Sequence, residues 1–244
     1  MGSIALPRPR AVGTAALVVV LVAATVLRLW ALDASPLWCD EGNNAYFAQQ
    51  SPAELLRTSV LTRDTDPPAH RLALALWLRL LGPGALQLRL LSALAGLGTV
   101  ALVFLWAQDL GGSGAGVLSA LLAALAPMLV YYSREAKAYP FVAFFALVAL
   151  YLWPRILHAQ GYRRWLLWLL YVLAQALALG AHYYALLFMA AQGVWLAAGL
   201  LRARARRPQL RVLGLWLLAQ GATALLVLPW VAQALPSTLA GARD

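Results

Sequence analysis

The sequence predicts an all-α fold: a polytopic transmembrane helical bundle of about seven spans, with membrane-parallel helices in its first outer loop. Of the 244 residues, 63% are hydrophobic and only 11% are charged, and the mean hydropathy is +0.73. Soluble domains are about half apolar and about a quarter charged. The apolar residues are also grouped into runs of about 20 residues, the length needed to cross a bilayer. One long polar interval, Asp33–Gln87, separates the first run from the others.

The charge and cysteine content narrow the class further. A net charge of +10 would suggest nucleic-acid binding in a soluble protein, but here the arginines cluster between apolar runs. Cytoplasmic loops of membrane proteins have this arrangement. We therefore expect membrane lipids, and no nucleic acid, as partners. The single cysteine, Cys39, excludes a disulfide framework within one chain, and neither a CxxC nor an HExxH motif occurs.

The first apolar run, Ala11–Leu27, follows Arg8 and Arg10. A cleaved signal peptide is the competing interpretation, because residues 31–34 (Ala-Leu-Asp-Ala) loosely resemble a cleavage site. The run is long for a signal peptide, and further spans follow it. An uncleaved first span is therefore favoured.

Later runs supply the rest of the bundle. Six of them approach the length of a transmembrane helix: Leu88–Leu110, Ala115–Tyr132, Ala138–Leu157, Trp165–Ala181, Tyr183–Leu201 and Leu210–Val231. The shorter run Ala69–Leu81 carries Arg71 and Arg79 and is predicted to lie along the membrane surface. The chain then divides into an N-terminal tail with the first span (1–32), an outer loop (33–87), six further spans (88–232) and the start of another outer loop (233–244).

The distribution of basic residues predicts the orientation, since Lys and Arg are enriched in cytoplasmic loops. With Ala69–Leu81 on the surface, seven crossings place the N-terminus inside and the C-terminus outside. The short outer loops then hold only Arg134 and Lys137, with Arg243 in the tail, and Arg28 at the outer end of the first span is an exception. The cytoplasmic side receives the larger group: Arg8, Arg10, Arg155, Arg163, Arg164, Arg202, Arg204, Arg206, Arg207 and Arg211.

The loop 33–87 contains signals for ordered helices. Residues 51–54 (Ser-Pro-Ala-Glu) are typical of a capping box with proline in the first helical position. The segment Asp66-Pro67-Pro68 is predicted to start a second helix with Asp66 as its cap, and the Gly-Pro-Gly at 82–84 to end it. A long loop with its own capped helices is usually functional.

The predicted topology brings three polar segments to one side of the membrane: the loop 33–87, residues 131–139 and residues 182–184. Arg134 and Lys137 are three residues apart, so in a helix they would share a face. Two cations beside a bilayer suit the phosphate of a lipid headgroup. The alternative is that both side chains simply reach from the membrane into water, with one of them neutralised by Glu135.

Two acidic residues, Asp40 and Glu41, follow the first span. In one interpretation Asp40 caps a helix and Glu41 lies favourably in its first turn. In the other, one of them is a general base. Transfer of a sugar from a lipid phosphate needs no general acid, because phosphate is already a good leaving group. One carboxylate to deprotonate the acceptor hydroxyl and cations to neutralise the departing phosphate would suffice.

Two histidines accompany these acidic residues. His70 comes one helical turn after Asp66, and His182 lies at the end of a span. Each is either a hydrogen-bonded structural residue or a contact to the substrate. Together with Asp40 and Asp66 they could hold a divalent metal ion, although their spacing does not require one.

Four segments, in this order and spacing, resemble the family 39 glycosyltransferases of the GT-C superfamily, bacterial relatives of protein O-mannosyltransferases and aminoarabinose transferases. The similarity extends from about Trp30 to Leu201. The segments are Leu37-Trp38-Cys39-Asp40-Glu41, Asp66-Pro67-Pro68, Tyr132-Ser133-Arg134-Glu135-Ala136-Lys137-Ala138-Tyr139 and His182-Tyr183.

The resemblance implies a membrane glycosyltransferase of the inverting type. It implies transfer of a hexose-like, mannose-type sugar from a polyprenyl-phosphate donor to an acceptor hydroxyl, on the non-cytoplasmic face of a bacterial inner membrane. After the two prolines, Ala69 and His70 stand where the family usually has leucine and an aromatic residue. Family members are about twice as long, so this chain resembles their N-terminal portion. The site residues are then Asp40 and Glu41 for catalysis, Arg134, Lys137 and Tyr139 at the donor phosphate, and Asp66, His70, His182 and Tyr183 as substrate-binding or supporting residues.

The alternative to an enzyme is a transporter or binding scaffold for lipid-linked sugars. A transporter should carry polar or charged residues in mid-span. Here the charges lie almost only at span ends, and Gln175, Gln192 and Gln220 are modest exceptions. The pattern favours an active site at the membrane surface.

Cysteine labelling tests the predicted orientation. In a Cys39→Ser background, Arg134→Cys and His182→Cys should react with a membrane-impermeant maleimide from outside, whereas Arg206→Cys should react only after permeabilisation. The physical reason is the excess of arginine in the loops assigned to the cytoplasm. Labelling of Arg206→Cys in intact cells, with position 134 protected, would overturn the arrangement.

Overall fold

A computed structural model describes residues 11–62, 66–202 and 206–241. Arg8, Arg10, Arg204 and Arg243, which the orientation argument uses, lie outside these residues. Within them the chain is helical and contains no strand, so the all-α prediction is confirmed. The helices, in chain order, are Ala11–Leu29 (α1), Cys39–Ala48 (α2), Pro52–Leu61 (α3), Ala69–Leu81 (α4), Ala85–Leu125 (α5), Pro127–Ser133 (α6), Ala138–His158 (α7), Gly161–Ala181 (α8), Ala185–Arg202 (α9) and Arg206–Gly241 (α10).

Five of the described helices are long and apolar enough to cross a membrane: α5, α7, α8, α9 and α10. Helix α5 has 41 residues, about twice what one crossing needs. It is interrupted at Gly112, whose φ of 79° is a left-handed conformation that favours glycine. The part before Gly112 matches the predicted run Leu88–Leu110, whereas the predicted run Ala115–Tyr132 is divided between the end of α5 and α6. If the two parts of α5 are counted separately and the shorter helix α1 is included, the described residues contain about seven apolar segments, consistent with a multi-pass membrane protein.

Helices α2, α3 and α4 occupy the interval between the first two apolar helices. The predicted capping box of α3 is confirmed: the Glu54 amide donates to Ser51 Oγ (3.3 Å), and the Ser51 amide donates to Glu54 Oε2 (3.0 Å). Apolar side chains fix α2 and α4 on the start of α5, among them Ala45, Leu74 and Leu88. The interval is therefore a folded cover over one end of the bundle.

Two predicted caps are wrong. Helix α2 begins at Cys39 with Trp38 in the N-cap position, so Asp40 lies in the first turn and does not cap. Helix α4 begins at Ala69 after Pro68, which has no side chain able to accept a hydrogen bond. Asp66 instead lies 3.5 Å from Arg71, where the two form an ion pair. Neither Asp40 nor Asp66 is therefore the N-cap residue of the helix it was predicted to cap.

The three mid-span glutamines join neighbouring helices to one another. Tyr171 of α8 donates from its hydroxyl to Gln192 Oε1 of α9 (2.8 Å), and Gln175 Nε2 donates to the Tyr171 hydroxyl (2.8 Å). Gln220 of α10 donates to the same hydroxyl at 3.4 Å, and Trp216 Nε1 donates to Gln192 at 3.1 Å. Polar side chains between membrane helices commonly serve as such cross-links. These glutamines therefore have a structural explanation.

Candidate functional site

A polar cavity of about 210 Å³ opens where α2, the start of α4, the segment before α7 and the end of α8 meet. Six of the nine residues predicted for the site line it, and Glu41, Arg134 and Tyr183 do not. The lining residues are Asp40, Asn43, Asn44, Asp66, Pro67, His70, Arg71, Lys137, Ala138, Tyr139, Ala181 and His182. Three polar segments that are distant in sequence are thus brought together, as the topology prediction expected.

Asp40 and Lys137 form an ion pair at this cavity, although 97 positions separate them in the chain. The Asp40 side chain is half exposed, and that of Lys137 is mostly covered. The Lys137 ammonium also lies 4.7 Å from the centre of the Trp38 ring, an attractive cation–π contact. A solvent-accessible carboxylate therefore sits directly beside a held cation.

Glu41, one residue later, has a different environment. Its side chain is fully buried and receives two hydrogen bonds from Arg89: Nε donates to Oε1 (2.8 Å) and Nη2 to Oε2 (2.7 Å). The amide of Ala136 donates to the same Oε1 at 2.9 Å. Burial alone would raise the pKa of Glu41, but these hydrogen bonds and the positive charge of Arg89 lower it below its usual value. Glu41 is thus held as an anion inside the protein, away from the cavity.

The same contacts fix the segment that carries Lys137. Glu41 binds the amide of Ala136, while Asn44 Nδ2 donates to the carbonyl of Ala136 at 2.8 Å. Ser92 Oγ of α5 donates to the carbonyl of Lys137 at 3.1 Å. Both backbone polar groups of Ala136 are therefore bound by α2. This arrangement holds Lys137 against the helix that carries Asp40.

Arg71 is a cavity residue that the sequence reasoning missed. The sequence predicts only a charge on a surface helix, yet Arg71 is 3% exposed and lines the cavity. Its Nε donates to Asn44 Oδ1 (3.1 Å), its guanidinium lies 4.2 Å from the Phe47 ring centre, and it pairs with Asp66. No local pattern in the sequence signals this position, because Phe47 and Asn44, which cover Arg71, belong to α2.

Arg134, predicted to contact phosphate, is engaged elsewhere. Its Nη1 donates to the carbonyl oxygens of Leu27 (2.9 Å) and Arg28 (3.4 Å), at the C-terminal end of α1. Arg28 does the same for another helix end: it donates to the carbonyls of Ala124 (3.2 Å) and Ala123 (3.5 Å) near the end of α5. Helix C-termini carry partial negative charge and attract cations. Both arginines that depart from the predicted charge bias thus stabilise helix ends.

His182 and Tyr139 form one wall of the cavity, with ring centres 5.5 Å apart. The Tyr184 amide donates to His182 Nδ1 (3.2 Å), so a neutral His182 carries its proton on Nε2. Tyr139 also stacks against Tyr184 at 6.5 Å. Tyr183, predicted as a supporting residue, is exposed and does not line the cavity.

Tyr139 separates the polar cavity from a second, apolar one. This cavity has a volume of about 160 Å³ and lies between α5, α6 and α7. Its walls include Thr99, Met128, Tyr132 and Ala143, and Tyr139 lines both cavities. A polar chamber thus adjoins an apolar one within a single site.

The sequence permits a divalent metal site formed by His70, His182, Asp40 and Asp66. Among the residues that the structure describes, no three His, Cys, Asp or Glu side chains lie close enough together to hold a metal ion. The cavity's charged groups are instead arranged as carboxylate–cation pairs.

The comparisons with known proteins agree with this architecture. The family model described as dolichyl-phosphate-mannose-protein mannosyltransferase matches residues 82–240. The chain is also similar to the crystal structure of ArnT from Cupriavidus metallidurans in the apo state, with a TM-score of 0.68 and 21% identity. That match covers 92% of this chain and 42% of the ArnT chain, so the chain spans less than half the length of ArnT. No curated protein matches the chain significantly.

The buried pair can be tested by substitution. Glu41→Gln leaves Arg89 buried without its counter-charge, and we expect the free energy of unfolding to fall by about 3–5 kcal/mol. The double variant Glu41→Gln, Arg89→Met should recover part of that loss, because no unpaired charge is left. Thermal unfolding in detergent measures both, with Asp33→Asn, an exposed acidic residue nearby, as the matched control. A Glu41→Gln variant as stable as the control would contradict the assigned role.

Proposed function

Because this chain belongs to the dolichyl-phosphate-mannose-protein mannosyltransferase family, we propose that it works as a membrane glycosyltransferase on a polyprenyl-phosphate sugar. The sugar is hexose-like and of the mannose type, the acceptor is a hydroxyl group, and the reaction takes place on the non-cytoplasmic face of a bacterial inner membrane. The observation that supports this most directly is the cavity in which the Asp40 carboxylate lies beside Lys137 and Arg71. It contains the base and the cations that such a transfer requires.

In the proposed reaction, Asp40 accepts the proton of the acceptor hydroxyl. The acceptor oxygen forms a bond to the anomeric carbon as the bond from that carbon to the phosphate oxygen breaks. The electron pair leaves with the polyprenyl phosphate, and no general acid is needed. A single displacement of this kind inverts the anomeric configuration. Asp40 rather than Glu41 takes this role, because Glu41 is fully buried and bound to Arg89.

In this proposal the donor phosphate binds near Lys137 and Arg71, the two cations that line the cavity. Charge on the leaving phosphate is stabilised by cations that are already positioned. Lys137 is shared between two anions in this arrangement, the carboxylate of Asp40 and the phosphate. The Asp40 carboxylate is half exposed, so the acceptor hydroxyl can reach it while it stays paired with Lys137.

The second cavity suits the lipid part of the donor. Its walls are apolar, and it meets the polar cavity at Tyr139. A polyprenyl chain in the apolar cavity would carry its phosphate past the Tyr139 ring toward Lys137. Burial of apolar chain surface there contributes favourable free energy in proportion to its area.

The direct test uses membranes that contain the protein and several radiolabelled polyprenyl-phosphate sugars. Transfer of label to acceptor, greatest for a mannose-type donor, is the expected result. Binding of the donors to the purified protein in nanodiscs gives a second measurement that does not depend on turnover. Failure of every donor to bind would contradict the proposal.

Asp40→Asn tests the base. Asparagine has nearly the same shape, and Asp40 does not cap α2, so the fold should be unaffected. An amide cannot accept the proton as a carboxylate does, and the transfer rate should fall by roughly 10²–10⁴-fold. The measurement is turnover at saturating donor with thermal stability followed in parallel, and Asp33→Asn is the matched control. Turnover within a few-fold of wild type would remove Asp40 from the catalytic role.

Lys137→Ala and Arg134→Ala separate the two cations of the 134–137 segment. Loss of a charged contact to phosphate should weaken donor binding by about 1.5–3 kcal/mol in Lys137→Ala, with partial recovery in Lys137→Arg. Arg134→Ala should leave the donor Kd unchanged and lower thermal stability, because Arg134 binds the end of α1. Donor titration in nanodiscs checks both. The opposite pattern would return the phosphate contact to Arg134.

A further inference from the structure

We propose that His70 is a specificity-determining residue that hydrogen-bonds a hydroxyl group of the donor sugar, and that the cavity takes a neutral sugar in preference to an amino sugar. This inference rests on the proposed function and names the substrate class of the same site.

His70 lies at the cavity wall, and one of its ring nitrogens has no hydrogen bond to the part of the chain that the structure describes. It lines the cavity and is only 3% exposed, and its ring packs edge-on against Phe141 with centres 5.8 Å apart. Its buried Nε2 atom has no hydrogen bond to a described residue. Buried polar groups in folded proteins are nearly always hydrogen-bonded. This ring nitrogen, at the edge of a binding cavity, therefore indicates a group that the ligand supplies.

The charge state of His70 indicates what that group is. Burial lowers the pKa of His70 to about 3, and the positive charges of Arg71 and Lys137 act in the same direction. The ring is therefore neutral at physiological pH, with one nitrogen that donates and one that accepts. A sugar hydroxyl also donates and accepts, so it fits either tautomer. The phosphate, which is negatively charged, is better matched by Arg71 and Lys137.

The surrounding charges disfavour an amino sugar. Two carboxylates line the cavity, and each already faces a cation: Asp40 faces Lys137, and Asp66 faces Arg71. An ammonium group beside His70 would lie near both cations, and each carboxylate that could attract it is already paired. Coulomb repulsion from Lys137 and Arg71 would weaken the binding of an ammonium group unless a counter-charge were present. A neutral hydroxyl group has no such penalty.

The ordinary alternative is that His70 only fills space beside Phe141. A cycle of donor variants against protein variants separates the two roles. The probes are mannosyl phosphoryl polyprenol, its monodeoxy derivatives and its 2-amino-2-deoxy derivative. The proteins are wild type, His70→Leu, His70→Asn and His70→Gln in nanodiscs. His158→Leu is the matched control, since His158 is exposed at the end of α7, outside the cavity.

We expect wild type to bind one monodeoxy donor about tenfold more weakly than the parent donor, the usual size of one buried hydrogen bond. In His70→Leu the monodeoxy and parent donors should bind equally well, because leucine cannot hydrogen-bond the hydroxyl that the monodeoxy donor lacks. His70→Asn or His70→Gln should retain part of the difference between the two donors, and His158→Leu should behave as wild type. The amino donor should bind wild type at least tenfold more weakly than the parent at pH 7.

Three results would count against the idea, and they are distinguishable. A monodeoxy penalty that is unchanged in His70→Leu would overturn the assignment of His70 while leaving the transferase proposal intact. Binding of the amino donor as tight as that of the parent would overturn the preference for neutral sugars. Failure of wild type to bind any of these lipid-phosphate sugars would instead contradict the proposed function itself.

Discussion

The buried ion pair between Glu41 and Arg89 is the interaction on which the cavity depends. Arg89 binds the carboxylate with two hydrogen bonds and also donates to the carbonyls of Leu32 (2.7 Å), Ser35 (3.0 Å) and Pro36 (3.2 Å). One guanidinium therefore fixes the chain between α1 and α2 to the start of α5. Glu41 Oε1 also accepts a hydrogen bond from the amide of Ala136. A buried pair of this kind is costly to desolvate, and its saturation with hydrogen bonds offsets that cost.

At two points in the site, one residue anchors the structure while its neighbour in sequence faces the cavity. Successive side chains on a helix point about 100° apart, so one can face the protein interior while the next faces a cavity. Glu41 is buried and paired, whereas Asp40 beside it is half exposed at the cavity. Before α7, the backbone N–H and C=O of Ala136 are bound by α2, and Lys137 beside it reaches Asp40. The anchors are therefore adjacent in sequence to the groups they position.

Much of this could be predicted from the sequence, because it depends on local pattern. The apolar runs, the helix at 69–81 and the capping box at Ser51 depend on neighbouring residues, and the structure contains the corresponding helices and cap. The partners of the charged residues could not be predicted. Glu41 meets Arg89 across 48 positions and Asp40 meets Lys137 across 97, and tertiary packing alone determines such pairs. Arg71 was missed for the same reason, since its burial depends on Phe47 and Asn44.

The arginines outside the cavity show why charge type alone does not identify a phosphate site. Arg28 and Arg134 were the two arginines most at odds with the predicted charge bias, and both bind carbonyl groups at helix ends. The last carbonyls of a helix have no partner within it, and near an apolar bilayer they cannot all reach water. A guanidinium with five donors satisfies several of them at once. Lys137 and Arg71 differ because their partners are carboxylates at a cavity, which a phosphate can join or replace. The partner together with its place at the cavity, and not the cation itself, therefore separates the candidate donor contacts from structural arginines, among them Arg89, whose carboxylate partner is buried.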